Sequence, residues 1–252
     1  MDNDLIFLSG VDIPFPEAQV VLHQPTIKEI SYIGEQAFYT GIEFLRFSKN
    51  SLNEEDRNRL ENLTDFDILI SIMKDKSAIV QQNKACMEMV LSLIFPDYII
   101  SLDKSIVLTK EEERHEINNK NFQNFQDIVF KMFSLENVGF NKNYNPSGKM
   151  AQSIAEKIRQ GIEKRNKRKQ QTSESEKKID IFSRYVSILA VGEHKDLNSL
   201  MNYTVYQLFD EFKRYELKAS YDLYFEAKMA GAQNLTEPKN WMERLSSTED
   251  EN

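Results

Sequence analysis

Residues 98–108 read Tyr-Ile-Ile-Ser-Leu-Asp-Lys-Ser-Ile-Val-Leu, and this stretch decides the fold class because the chain's other patterns are mostly helical. Two apolar runs flank Asp103 and Lys104, which is typical of a β-hairpin, although the turn lacks the Gly that a type I′ loop prefers. Short apolar runs over residues 5–8 and 19–22 predict two further strands. We therefore expect an α+β fold, predominantly α-helical, with a small N-terminal sheet beside helices and a helical C-terminal part.

Helix signals occupy most of the remaining chain. Thr26 and Glu29 have the spacing of a capping box, which predicts a helix beginning there. Gly34 and Gly41 fall inside this helical pattern, where each allows either a break or a close neighbour. Apolar spacing predicts further helices over residues 66–73 (capped by Asp65), 83–95, 122–133, 180–191, 197–201 and 204–230.

Two polar stretches suggest how the chain is organised. Residues 141–149 are rich in turn-forming side chains, and residues 170–178 are polar with little apolar content, which is typical of a linker. The sequence thus predicts an α+β part over 1–145, a basic helix with a polar linker over 146–178, an aromatic-rich helical part over 179–245 and an acidic tail over 246–252.

The composition leaves little material for catalysis. The chain has 252 residues, with one Cys, three His and eight Gly. It contains no Gly-x-Gly, and the surroundings of Ser147-Gly148-Lys149 do not match a phosphate-binding P-loop. We therefore expect no cofactor and no enzymatic activity.

Two residue groups could still bear chemistry. Glu112 and His115 have the i, i+3 spacing of some metal-binding helices, but no second such pair accompanies them, so a solvated charged turn is the better interpretation. Cys86 lies in an apolar stretch, which favours core packing and fits a reducing cytosol. We expect neither a metal site nor a catalytic thiol.

The charge is distributed unevenly. The net charge is −8, yet residues 157–169 hold seven cations and one acid, a net +6 that leaves −14 for the remainder. Such a segment could neutralise phosphates, but it contains no aromatic side chain for base stacking, so a solvated or protein-binding surface is favoured over nucleic acid. The candidate residues for an anionic partner are Lys157, Arg159, Lys164, Arg165, Lys167, Arg168 and Lys169.

Aromatic side chains are concentrated towards the C-terminus. Ten of them lie between Phe182 and Phe225. Aromatic stripes at helical spacing are more often core than binding site, but this number leaves some available for a partner. The candidate partner-binding residues are Tyr206, Phe209, Phe212, Tyr215, Tyr224 and Trp241.

The first residues and the hydropathy predict a location. Residues 1–4 are acidic, whereas a signal peptide needs a basic start. No apolar run approaches the roughly 18 residues of a membrane span. We expect a cytosolic protein without a membrane partner.

Two stretches carry a family resemblance. The first is Leu22-His23-Gln24-Pro25-Thr26-Ile27-Lys28-Glu29-Ile30, followed by Ile33-Gly34-Glu35, and the second is Tyr203-Thr204-Val205-Tyr206-Gln207-Leu208-Phe209-Asp210-Glu211-Phe212-Lys213-Arg214-Tyr215, which continues to Ala227-Lys228-Met229-Ala230-Gly231-Ala232 and Asn240-Trp241-Met242. Together they resemble small proteins encoded among the tail genes of phages of Gram-positive bacteria, described as tail assembly chaperones or as tail- or baseplate-associated proteins.

The resemblance implies a non-enzymatic role in virion morphogenesis. Tail assembly chaperones bind the tape measure protein and help tail-tube subunits polymerise around it. The implied partners are tape measure, tube or baseplate subunits or a second copy of the chain, met in the host cytoplasm. Two alternatives stay open: a structural component of the tail or baseplate, located in the virion, and a nucleic-acid-binding regulator that uses residues 157–169.

Overall fold

Helices and two small antiparallel sheets build the molecule, so the α+β prediction is confirmed. The computed structural model describes residues 4–49, 58, 60–135, 181–233 and 235–243. The helices there are α1 (Asp4–Ser9), α2 (Ile27–Ile33), α3 (Glu35–Leu45), α4 (Asp65–Ile72), α5 (Ala78–Ile94), α6 (Phe122–Met132), α7 (Ile181–Gly192), α8 (Leu197–Met201) and α9 (Val205–Met229). The strands are β1 (Ile13–Phe15), β2 (Val20–Leu22), β3 (Ile99–Leu102), β4 (Ile106–Lys110) and β5 (Glu113–Ile117).

The N-terminal sheet pairs β1 with β2, and Ile13 lies opposite Leu22. The prediction of a strand over residues 5–8 was wrong, because these residues belong to helix α1. Only Phe7 of α1 is buried, whereas Leu5 is 69% exposed. Four apolar residues in a row do not distinguish a strand from a helical turn, and the structure buries one side of a turn here.

The second sheet has the order β3-β4-β5 and confirms the predicted hairpin. Its third strand was missed, because residues 111–116 were expected to form a solvated charged turn. Strand β5 pairs along β4, with Leu108 opposite His115 and Ile106 opposite Ile117. Since Ile117 alone of the five β5 residues is fully buried, the strand carries almost no apolar pattern.

Helices α2 and α3 confirm the capping box and explain both glycines. The Thr26 hydroxyl accepts a hydrogen bond from the Glu29 N–H, and the Glu29 carboxylate accepts one from the Thr26 N–H. Gly34 has a φ of +85° and separates the two helices. A Cβ at Gly41 would overlap the backbone carbonyl of Cys86, so α3 and α5 pack closely there. Cys86 is buried, as expected for core packing.

Two helix starts differ from the prediction. Helix α4 is capped by Thr64 instead of Asp65, because the Thr64 hydroxyl accepts from the Asp67 N–H. The Asp65 carboxylate accepts hydrogen bonds from the Lys49 N–H and the Ser48 hydroxyl instead. Helix α5 begins at Ala78, five residues before the predicted start, and its first turn is largely exposed.

The C-terminal helices pack against the N-terminal elements, and the described residues belong to one compact unit. The Ile27 N–H donates to the Tyr203 carbonyl at 2.9 Å. The ring of Phe182 packs edge-on against Phe38, with centroids 5.5 Å apart. The limits predicted near residues 145 and 178 lie outside the described residues and stay a prediction.

Candidate functional site

Helices α2 and α9 begin side by side. Thr204 caps α9 with a second capping box, in which its hydroxyl accepts from the Gln207 N–H and the Gln207 side chain accepts from the Thr204 N–H. An isolated antiparallel bridge joins Thr204 to Thr26, the cap of α2. Sequence reasoning missed this second box, although Thr-x-x-Gln is a detectable signal. The two stretches that carry the family resemblance therefore meet at their helix starts.

The Gln207 amide ties this junction to α1. Its Nε2 donates to the Leu8 carbonyl at 2.7 Å. Gly10, with a φ of +69°, turns the chain after α1 and passes close to the same amide. The start of α9 is thus fixed from two sides, by α1 and by α2.

His23 adds an electrostatic cluster beside the junction. Its ring nitrogens lie 2.9 Å from an Asp12 carboxylate oxygen and 3.3 Å from those of Glu29. Burial lowers the pKa of His23, but the hydrogen bonds with Asp12 and Glu29 outweigh burial and raise it. Burial likewise raises the pKa of Glu29, and its hydrogen bonds with Thr26 and His23 outweigh that effect and lower it.

The first half of α9 uses its aromatic side chains within the chain. Tyr185 of α7 stacks on Phe212 with ring centroids 3.7 Å apart and also contacts Phe209 at 5.3 Å. Tyr206 packs against Phe7 of α1 at 5.5 Å. Tyr206, Phe209 and Phe212 are three of the predicted partner-binding residues, and all three are half-buried. Their use by a partner stays a prediction.

The second half of α9 is exposed. Val205 and Leu208 are the buried residues of α9, and both lie in its first turn. At the other end Phe225 contacts Tyr221 and Tyr224 at 4.7 and 5.3 Å, and Met229 is 87% exposed. These residues follow the i, i+3, i+4, i+8 spacing of one helix face. We call Tyr221, Tyr224, Phe225 and Met229 the outer aromatic surface.

A cleft of about 580 Å³ lies along α9 between Gln207 and Lys218. Its lining includes the aromatic side chains of Tyr203, Tyr215 and Trp241 and the charged side chains of Glu193, Glu211 and Arg214. The structure thus places Tyr215 and Trp241, two of the six predicted aromatic residues, in one cleft.

Arg214 builds one wall of the cleft. Its guanidinium donates to the Asp210 carboxylate at 3.0 Å and to the Trp241 carbonyl at 3.1 Å. This second contact holds the segment after α9 back against the helix. This hydrogen bond therefore positions Trp241 in the cleft.

Lys195 binds two of the residues that line the cleft. Its ammonium donates to the Tyr203 hydroxyl and the Glu211 carboxylate, and it lies 5.4 Å from the Tyr203 ring centroid. Burial lowers the pKa of Lys195, but its interactions with Glu211 and Tyr203 together outweigh burial and raise it. The ammonium therefore stays charged.

The other predictions concerned the basic segment, His115, metal binding and membrane spans. Residues 157–169, the basic segment, lie outside the described residues. His115 is half-buried in β5 and its Nδ1 lies 3.1 Å from the Ala18 carbonyl oxygen. Within the part of the chain that the structure describes, no group of three His, Cys, Asp or Glu side chains could hold a metal ion. No helix among the same residues is long and apolar enough to cross a membrane.

Comparison with known proteins gives one finding about this region. No curated protein and no solved structure gives a match. A family model described as the YomV second domain, of a phage-related family, matches residues 172–246, a range that includes the outer aromatic surface and most of the cleft. Over those residues the chain is similar to the second domain of YomV, and this supports a phage connection.

Proposed function

We propose that the chain is a non-enzymatic protein of phage tail morphogenesis that binds tape measure or tail-tube subunits as a chaperone in the host cytoplasm. The observation that carries this proposal is the outer aromatic surface, where Tyr221 and Tyr224 are half-buried, Phe225 is 39% exposed and Met229 is 87% exposed. Large apolar side chains left exposed on a helix are what a partner's groove or helix covers.

The energetics support such a use. Burying one large apolar side chain contributes roughly 1.5–3 kcal/mol, and aromatic anchors lose little conformational entropy on binding. Tyr221, Tyr224, Phe225 and Met229 therefore offer enough surface for a reversible complex once the cost of association is subtracted. Reversible binding fits a chaperone that releases its client.

The charge and the family match also support the proposal. The matched family is phage-related, and its match contains this surface. The net charge of −8 would help to keep an aggregation-prone client in solution.

Co-expression tests this function. The chain is produced together with the tape measure protein encoded in the same phage genome, and the soluble fraction of that protein is measured. We expect the chain to raise this fraction and the double substitution Phe225→Ser and Met229→Ser to abolish the effect.

Leu223→Ser is the matched control. Leu223 is 66% exposed on the same helix and, at 100° per residue, lies about 200° around the axis from Tyr221. This variant should act like the unchanged chain. A tape measure protein equally insoluble with and without the chain contradicts the proposal.

The resemblance also allows a structural component of the tail or baseplate. Mass spectrometry of purified virions separates the two roles. A chaperone is absent from finished particles, whereas a structural component is present in stoichiometric amounts.

The third alternative rests on the +6 charge of residues 157–169. A nucleic-acid-binding regulator would retain DNA or RNA at moderate salt. That binding would collapse on charge reversal of Lys164, Arg165, Lys167, Arg168 and Lys169.

A further inference from the structure

The cleft on α9 has a chemistry that the proposed function does not use. Aromatic faces and carboxylates form its walls, and it is open to solvent. Aromatic rings attract cations through their negative faces, and a carboxylate in the same cleft adds a Coulombic attraction. Which ion the cleft could bind depends on the charges on its walls that are not already paired.

The cations around the cleft are paired. Arg214 binds Asp210, Lys195 binds Glu211, and Lys218 donates to Asp222 at 3.1 Å. Each of these three cations is thus engaged by a carboxylate of the described chain.

Among the described carboxylates around the cleft, Glu193 is not hydrogen-bonded to a cation. It lines the cleft, it is exposed, and it interacts electrostatically with Lys218. Among the described residues, no hydrogen bond or ion pair engages its side chain. The described charges around the cleft are four carboxylates and three cations, which leaves a net negative charge on walls that Tyr203, Tyr215 and Trp241 also line.

Lys195 shows that these walls can hold an ammonium. The Tyr203 ring lies under its Nζ, the Tyr203 hydroxyl accepts from it at 3.0 Å, and the Glu211 carboxylate accepts from it as well. Glu193, Tyr215 and Trp241 offer the same combination of a carboxylate and aromatic rings. Lys218 interacts electrostatically with Glu193 and Tyr215, but its hydrogen bond goes to Asp222.

We propose that this cleft binds a cationic side chain, a lysine ammonium or an arginine guanidinium, presented by a partner protein. The ligand lies against Trp241 and Tyr215 and pairs with Glu193. This site is separate from the outer aromatic surface, and the inference does not depend on the proposed function.

The test uses the full chain and Trp241, which is its one tryptophan. The indole N–H signal in a ¹H–¹⁵N spectrum therefore reports on the cleft without assignment of other residues. The probes are N-acetyl-arginine amide and N-acetyl-lysine amide, and N-acetyl-norleucine amide is the neutral probe of similar length.

We expect the cationic probes to shift the indole signal saturably and the neutral probe to shift it far less. Glu193→Gln should weaken binding roughly two- to fivefold, as expected for the loss of an exposed ion pair. Glu112→Gln removes an equal charge from the exposed turn between β4 and β5 and should leave the affinity unchanged.

Three results overturn the inference: no saturable shift with either cationic probe, an equal shift with the neutral probe, or an unchanged affinity in Glu193→Gln. An unaltered far-UV circular dichroism spectrum of that variant shows that its fold is intact. None of these readouts involves a phage protein, so failure here is distinct from failure of the chaperone proposal.

Discussion

His23 stabilises the junction of α2 and α9 in a defined pH range. Because its pKa is raised in the folded chain, its contribution is fully present below the unfolded value of 6.5 and is lost as the pH rises through the folded pKa. The pKa of Glu29 is lowered, so its contribution is present above 4.5 and is lost as the pH falls through the folded pKa. Both contributions are complete between pH 4.5 and 6.5.

We therefore expect His23→Gln to lower the free energy of unfolding more at pH 5.5 than at pH 8.5. Both partners of His23 are partly exposed, so the difference should stay below about 1 kcal/mol. Urea unfolding of both proteins at the two pH values measures it. A loss that is larger at pH 8.5 contradicts this account of the cluster.

Gly41 marks the closest approach of α3 and α5. Alanine has the higher helix propensity, but its Cβ at this position would overlap the Cys86 carbonyl. We expect Gly41→Ala to lower the free energy of unfolding by about 1–3 kcal/mol, as overpacking does. Thr40→Ala, one residue earlier in α3, should change it by less than about 0.5 kcal/mol, and an equal effect of both would show that the contact is not tight.

At the scale of elements, the two paired caps decide where α9 lies. Thr204→Ala removes the N-cap of α9 and should cost about 1 kcal/mol. Because Thr204 also pairs with Thr26, the variant should speed amide exchange at Ile27, whose N–H donates to Tyr203. Thr64→Ala removes an equivalent cap from α4 and should leave exchange at Ile27 unchanged. Equal acceleration in both variants argues against a specific junction.

The sequence predicts those helices and strands that have a recognisable local residue pattern. The hairpin of β3 and β4 has two apolar runs around a turn, and α2 has its capping box, so both were predicted from residues alone. Strand β5 has no such pattern, since it is held by backbone pairing with β4 while most of its side chains are polar. Residues 5–8 are equally ambiguous, because their helical state depends on which side chain the fold buries.

The candidate site was predictable only in its composition. The aromatic residues of α9 stand out in the sequence, but their roles depend on elements distant in the chain. Phe212 is covered by Tyr185 of α7, and Tyr206 by Phe7 of α1. Trp241 enters the cleft through a contact with Arg214, 27 residues earlier. None of these long-range contacts follows from spacing along one helix.

At the scale of the whole molecule, the C-terminal helices complete the core of the N-terminal part. Phe182, Leu189 and Leu208 are buried in the same compact unit as Phe38 and Ile30. We therefore expect the described residues to unfold in a single cooperative transition. Trp241 fluorescence, which reports on the C-terminal helices, should follow the same urea curve as far-UV circular dichroism. Two separate transitions would instead indicate independent domains.

The central claim, that the outer aromatic surface of α9 binds a phage tail protein, is tested most directly by hydrogen exchange on a purified complex with the tape measure protein. Amides of residues 221–229 should exchange more slowly in the complex, because a partner that covers Tyr221, Phe225 and Met229 also suppresses fraying of the helix end. Exchange in β3 and β4 should stay unchanged. Unaltered exchange over 221–229, with protection confined to another surface, would contradict the account.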